Sequence, residues 1–142
     1  MKKVFFLILV IASFSLSLKA QGFDFVSARQ AHAFLVSEVP NLYEDYELIG
    51  VGAISVPMFG IEVDFETGNS QIWGFSFKSK DTDDKNVYDY SISSTGGQFS
   101  YELDVSEDEF VHDVPAIANT WKNSTEFADA YSNSSTLTAE LS

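Results

Sequence analysis

The chain has 142 residues, a formal net charge of −13 and no cysteine. The lack of cysteine excludes disulfides, thiolate nucleophiles, iron–sulfur clusters and zinc–thiolate sites. The strong negative charge disfavours nucleic acid and anionic membrane surfaces as partners. Thirteen Phe, six Tyr and two Trp supply a hydrophobic core for a domain that has no disulfides.

The first twenty residues have the pattern of a secretory signal peptide. Lys2 and Lys3 precede an unbroken apolar run from Val4 to Ala12, and the segment ends at Ala20. The apolar run is too short for a transmembrane helix, which needs about 20 such residues. We therefore expect a secreted or periplasmic bacterial protein, cleaved near Ala20, with no membrane span.

Cleavage would leave residues 21–142, a length suited to one compact domain. It would remove three of the eight basic residues and none of the 21 acidic ones, so the mature charge would be −16. Such a surface favours a basic protein or a divalent cation as partner. The alternative is that the acidic residues simply keep an exported domain soluble.

The first element of the mature chain is predicted to be a helix. Apolar residues recur at three- and four-residue spacings, Ser27 is a suitable N-cap and Pro40 ends the run. One face is polar and the other must lie against a second layer. The apolar face comprises Ala28, Ala31, Phe34, Leu35 and Val39.

The centre of the chain changes to a two-residue period, which is typical of strands. Two such runs flank the turn Glu66–Ser70, where Gly68 can adopt a positive φ, and they predict a hairpin. An earlier apolar segment, Leu48–Val56, contains Gly50 and Gly52 and is predicted to be a strand with a bulge or a close approach. The hairpin runs are Ile61, Val63 and Phe65, then Trp73, Phe75 and Phe77.

The alternation continues through two further strands joined by Gly96-Gly97, and a capping-box pattern at Asn123 predicts a second helix over roughly Ser124–Ser132. A last short strand would include Leu137–Leu141. We therefore predict an α+β fold. It has an antiparallel meander of four to five strands, with one face covered by the N-terminal helix and by the second, C-terminal helix. The two further strands carry Tyr88, Tyr90 and Ile92, then Phe99, Tyr101, Leu103 and Val105.

The candidate metal ligands are Asp81, Asp83 and Asp84. Carboxylates at such short spacing can wrap a calcium ion, although the segment lacks the glycine and the distal glutamate of an EF-hand loop. The alternative is a solvated loop between two strands. A second acidic run, three of whose members follow the end of the last predicted central strand, is typical of a charged sheet edge that discourages aggregation. That run comprises Glu102, Asp104, Glu107, Asp108 and Glu109.

No catalytic residue and no cofactor is predicted. His112 stands beside Asp113, but adjacent side chains point in different directions and no nucleophile motif accompanies them. His32 lies beside the apolar face of the first helix. The row Trp73, Phe75 and Phe77 could stack on a sugar or a peptide, yet its spacing within a one-faced sheet favours core packing.

Two segments resemble one protein family. In residues 64–79, an acidic residue and Gly-x-Ser precede a Trp-x-Phe-x-Phe strand, as in the hairpin of small exported bacterial PepSY-like domains. Residues 121–130 resemble the second helical element of these domains, in which Ser opens a helix that carries small residues. The resemblance implies a helix packed across an antiparallel sheet and a role in binding or in inhibiting peptidases. It implies no catalytic residues.

Together these features predict a non-enzymatic binding or peptidase-modulating module whose partner is a basic protein or a peptidase. Two alternatives stay open: a small secreted hydrolase or calcium-dependent enzyme that uses the acidic loops, and a structural protein of the cell envelope. The sequence does not decide the ligand or the oligomeric state. It also leaves open whether the last strand pairs within the chain or with a partner.

We predict that the mature protein begins at Gln21, because the charged start, the apolar run and the exit at Ala20 together form a cleavable signal. The intact mass of the exported protein measures this directly. A mass that still includes residues 1–20 would contradict both the cleavage and the export.

Overall fold

The computed structural model describes residues 22–118 and has an α+β fold. Its main sheet has four antiparallel strands in the order β1-β4-β5-β6, and a two-stranded ribbon pairs β2 with β3. Several predicted features lie outside the described residues: the signal peptide, the start at Gln21, Trp121, the helix over Ser124–Ser132 and the final strand.

The described segment begins with two helices and continues with six strands. No helix within residues 22–118 has the length and apolar character needed to cross a membrane. The elements are α1 (Ala28–Glu38), α2 (Leu42–Asp45), β1 (Tyr46–Ala53), β2 (Val63–Asp64), β3 (Asn69–Ser70), β4 (Ile72–Ser79), β5 (Asn86–Thr95) and β6 (Gln98–Glu107), with single 3₁₀ turns over Pro57–Phe59 and Val111–Asp113.

Helix α1 begins at the predicted N-cap. The Ser27 hydroxyl accepts the backbone N–H of Gln30, and the Gln30 side chain accepts the backbone N–H of Ser27, which completes a capping box. The helix ends at Glu38, two residues before Pro40, as the sequence predicts. Its buried side chains are Ala28, Ala31 and Leu35.

The core lies between α1 and the sheet. Leu35, Phe75, Phe77 and Ile92 are completely buried in one apolar cluster. The indole N–H of Trp73 donates to the carbonyl of Val26 at 2.8 Å, so this ring is buried without leaving its polar atom unpaired. The prediction that the aromatic row of β4 forms core is confirmed.

Phe34 of helix α1 packs against aromatic rings of the last strand, β6. Its ring stacks on Phe99 with a centroid distance of 5.2 Å and also approaches Tyr101. Helix α1 therefore reaches from the centre of the sheet to the beginning of β6, and Phe34 is the side chain that makes this contact.

The predicted long hairpin around Gly68 is wrong. Only β2 and β3 pair across this turn, and β4 pairs instead with β1 and β5. The Asp64 carboxylate accepts the backbone N–H groups of Glu66 and Thr67 and ends β2 at the turn. At the open end of the ribbon, the N–H and C=O groups of Ser70 both bond to Val26. Phe65 is consequently 77% exposed rather than part of the core. Gly68 does have the expected positive φ, at 72°.

Two other predictions about glycine are confirmed. The pairing of β1 with β4 shifts register between Leu48 and Gly50, and a Cβ on Gly50 would lie 3.3 Å from the Ser76 Cβ. Gly96 and Gly97 both have positive φ and close the two-residue turn between β5 and β6.

The two edges of the sheet differ. After β6 the chain returns toward β1. On the way, the carbonyl of Val114 accepts a hydrogen bond from the ammonium of Lys78 in β4 at 2.6 Å. The Ile117 N–H then donates to the carbonyl of Leu48 in β1 at 2.7 Å. The β1 edge is thus partly occupied by this returning segment, whereas β6 pairs only with β5 within the described residues.

Replacing Phe75 by Ala should lower the free energy of unfolding by about 3–5 kcal/mol, because it removes a fully buried ring from the core and leaves a cavity. Urea denaturation of the two proteins measures the change. The matched control is Phe59→Ala, whose ring is 69% exposed and which should change stability by less than about 0.5 kcal/mol. Equal effects of the two substitutions would contradict this description of the core.

Candidate functional site

The loop between β4 and β5 contains the three candidate metal ligands, and its carboxylates bind the loop's own backbone. Asp81 Oδ1 accepts the N–H of Asp83 at 3.0 Å. Asp84 Oδ1 accepts both the backbone N–H and the side-chain amide of Asn86. These are Asx-type turns, which are sufficient to shape the loop without a bound ion.

Asp84 has a second partner. Its Oδ2 accepts the hydroxyl of Tyr88 at 2.7 Å. This hydrogen bond, together with those from Asn86, holds the pKa of Asp84 below 3.8, and the same bond raises the pKa of Tyr88 to about 12.

The described residues contain no group of three or more His, Cys, Asp or Glu side chains placed to hold a metal ion. The structure therefore does not bring Asp81, Asp83 and Asp84 together as a site. Asp83 is exposed, while Asp81 and Asp84 direct oxygens at neighbouring N–H groups. The geometry accounts for the acidic loop as a self-capped turn.

His112 takes part in holding this loop. Its Nε2 lies 2.7 Å from the backbone oxygen of Asp84, so a protonated Nε2 donates to that carbonyl. Of the two residues that flank His112, Asp113 is exposed and Val111 is fully buried. The imidazole thus joins the segment after β6 to the β4–β5 loop, and the neighbouring Asp113 is not its hydrogen-bond partner.

His32 lies at the edge of the core. Its Nε2 is 2.5 Å from the Tyr43 hydroxyl, and its ring also approaches Phe75 at a centroid distance of 5.6 Å. Burial lowers the pKa of His32 and raises the pKa of Tyr43, so both groups are favoured in their neutral forms. This pair connects α1 to α2.

The surface that best fits a binding role is the free side of β6, which we call the open edge (Gln98–Glu107). The side chains that face the helix layer form an apolar row that is only partly covered. Tyr101, Leu103 and Val105 are 41%, 46% and 47% exposed. They lie opposite the core residues Ile92, Tyr90 and Tyr88, so the row continues the core outward.

The opposite face of the open edge is acidic. Glu102 and Asp104 are exposed there, and Asp104 lies directly opposite Asp89 of β5. Asp89 accepts a hydrogen bond from the Ser76 hydroxyl. Like charges in directly opposed positions destabilise a pair of strands, so a nearby cation would stabilise this face by reducing the repulsion between Asp89 and Asp104.

The backbone of β6 adds hydrogen-bonding groups to the open edge. Antiparallel residues alternate between pairs that exchange both hydrogen bonds and pairs that exchange none. Because Thr95 and Gln98 close the two-residue turn, the even-numbered residues of β6 bond to β5 and the odd-numbered ones present N–H and C=O groups outward. No backbone hydrogen bond within residues 22–118 reaches those outward groups.

The acidic residues of this strand indicated a charged sheet edge, and β6 is an edge strand of the sheet. The exposure of its apolar row was not indicated. Strict alternation predicts a strand with one buried face, and the apolar row of β6 fits that pattern as well as β4 does. The acidic residues on the polar face of β6 distinguish the two strands, because charged side chains are common on edge strands.

Comparisons of the chain with protein-family models, with curated proteins and with solved structures found no match.

Replacing Tyr88 by Phe should raise the pKa of Asp84 toward 3.8, because the hydroxyl that stabilises the carboxylate is lost. A lowered folded-state pKa contributes stability above the unfolded pKa, and this contribution disappears as the pH falls through the folded value. The variant should therefore lose less stability than the parent as the pH falls below about 4.

Carboxyl-carbon NMR titration gives the pKa, and urea unfolding at several pH values gives the stability. The control is Tyr101→Phe, which removes a hydroxyl from another strand and should leave the pKa of Asp84 unchanged. An unchanged pKa in Tyr88→Phe would contradict the hydrogen bond.

Proposed function

We propose that this chain is an exported, non-enzymatic binding module that modulates a basic protein partner, such as a peptidase. The observation that carries the proposal is the open edge, where a partly exposed apolar row, outward backbone groups and acidic side chains occur on one strand. Such a strand presents hydrogen bonds, apolar area and charge to one partner at the same time.

The charge of the whole chain supports a basic partner. With residues 1–20 removed, five basic residues would face 21 acidic ones. One of the five, Lys78, is buried and directed at the Val114 carbonyl, with Glu47 at 3.6 Å. The field around the folded domain is therefore strongly negative, which attracts cationic surfaces and repels anionic ones.

The state of the polar groups also favours binding over catalysis. Among the described residues, the carboxylates and imidazoles with the most defined contacts, Asp64, Asp84, His32 and His112, hold turns or connect elements. Groups already occupied in this way are poorly placed to transfer a proton to a substrate.

The resemblance to PepSY-like domains at residues 64–79 and 121–130 points to the same kind of function, since that family binds and inhibits peptidases. In this proposal residues 21–142 form one domain located outside the cytoplasm. A second helix over Ser124–Ser132 would then cover the helix-side face of the sheet together with α1.

A substrate panel tests the non-enzymatic part of the proposal. The purified protein should show no turnover of peptidase or glycosidase substrates, with or without calcium, because Asp81 and Asp84 of the acidic loop accept hydrogen bonds from the loop's own backbone. Turnover that is lost in Asp83→Asn or His112→Ala, but kept in the exposed-site control Glu62→Gln, would overturn the proposal in favour of the hydrolase alternative.

A salt series tests the partner. Association with a basic protein should weaken as salt rises, because screening shortens the reach of the charges to about 8 Å at physiological ionic strength. Biosensor measurements on a basic and an acidic protein of similar size provide the matched comparison. Equal binding of the two would contradict a charge-selected partner.

A further inference from the structure

We infer that the open edge binds an extended segment of the partner as an additional antiparallel strand, and that this segment alternates apolar and basic residues. The inference rests on the proposed function and specifies its site, its binding mode and the chemistry of its ligand. It combines the direction of the backbone groups with the different chemistry of the two faces.

The backbone of β6 fixes the geometry of the added strand. Its outward N–H and C=O groups belong to Phe99, Tyr101, Leu103, Val105 and Glu107, which alternate along the strand. A strand that bonds to these groups places each of its own bonding residues opposite one of them and on the same face of the sheet. Those bonding residues therefore lie on the helix side.

The helix side of the open edge selects apolar side chains. Tyr101, Leu103 and Val105 each retain between two-fifths and half of their exposure, and the rings of Tyr90 and Tyr101 are 5.8 Å apart between centroids. Apolar residues on the added strand would cover this row and extend the core by one strand.

The other side selects basic side chains. Glu102 and Asp104 are exposed, neither lies in an ion pair within the described residues, and Asp104 opposes Asp89. Lys or Arg on the added strand would stand opposite these carboxylates and relieve the repulsion between Asp104 and Asp89. The intervening residues of the ligand are thus basic, and their backbone N–H groups point away from β6.

A second copy of this chain fits the open edge poorly. When two β6 strands pair antiparallel in central registers, residues of equal parity lie opposite each other. Glu102 then opposes Glu102 or Asp104, or Asp104 opposes its own copy. Such pairs are destabilising. The chain's own C-terminal part is also uncomplementary, because residues 123–142 contain acidic residues and no Lys or Arg.

The test uses the purified protein and a fluorescent ten-residue peptide of alternating Val and Lys with blocked ends. Fluorescence anisotropy should show saturable binding. N-methylation of three central Val residues should abolish binding, since it removes the N–H groups that face β6, whereas N-methylation of three central Lys residues should leave it within about threefold. Equal effects of the two modifications would mean capture by charge alone and would overturn the inference.

The protein variants give an independent readout. Glu102→Gln combined with Asp104→Asn should weaken peptide binding by roughly tenfold, as expected for two cross-strand charge pairs. Glu44→Gln combined with Asp45→Asn changes the net charge equally at two exposed residues of helix α2 and should change binding by less than about twofold. Equal weakening by the two pairs would contradict a site on β6.

Other occupants of the open edge have their own signatures. A dimer in sedimentation velocity that dissociates in Leu103→Glu would place a second copy on the edge and overturn the inference. Peptide binding that appears only after residues 133–142 are removed would place the chain's own C-terminus there, with the same consequence.

The outcomes for the edge and for the function are separable. If the Glu102/Asp104 variant still captures a basic protein in a salt-dependent manner and shows no turnover, the proposed function stands and the edge inference fails. If the peptide results are as expected but substrate is turned over, the edge inference stands and the non-enzymatic function fails.

Discussion

The burial of three aromatic rings of β4 against helix α1 is the interaction on which the rest of the structure depends. Trp73, Phe75 and Phe77 alternate along one strand at the centre of the sheet, and Leu35 meets them from above. This row sets the register of the neighbouring strands, because each strand must place its own apolar residues on the face of the sheet that α1 covers. The bulge in β1 serves that alignment by shifting the register where Gly50 passes Ser76.

The α+β class, α1 with its N-cap at Ser27, the glycine turns and the β4 core could all be predicted, because each depends on a local pattern of side chains. The pairing of β4 with β1 could not be predicted. The pairing of β2 with β3 ends at Ser70, whose backbone N–H and C=O groups both bond to Val26, a residue about forty positions earlier in the chain. Periodicity describes which face of a strand is buried but carries no information on its neighbour.

The candidate site illustrates the same limit in chemical terms. Three aspartates in four residues suggest a cation ligand set, yet a carboxylate can equally accept backbone N–H groups, and sequence cannot distinguish the two uses. In the β4–β5 loop the second use is observed for Asp81 and Asp84. The acidic run indicated a charged edge at β6, but the exposure of the apolar row was not predicted, because it depends on the path after β6, where the contacts of His112 and Ile117 take the chain away from that strand.

The hydrogen bonds of Asp24, near the start of the described segment, also affect how the chain folds. The Asp24 carboxylate accepts the Gly97 N–H and the Ser94 hydroxyl, each at 2.7 Å, and the hydrogen bond from Gly97 is the main cause of its lowered pKa. The carbonyl of Leu48 likewise accepts a hydrogen bond from the N–H of Ile117. Both pairs of contacts join residues about seventy positions apart, so neither forms until most of the described segment has emerged during synthesis. Contacts of such long range slow folding, and a chain that emerges from its N-terminus would remain open to chaperones until late in that process.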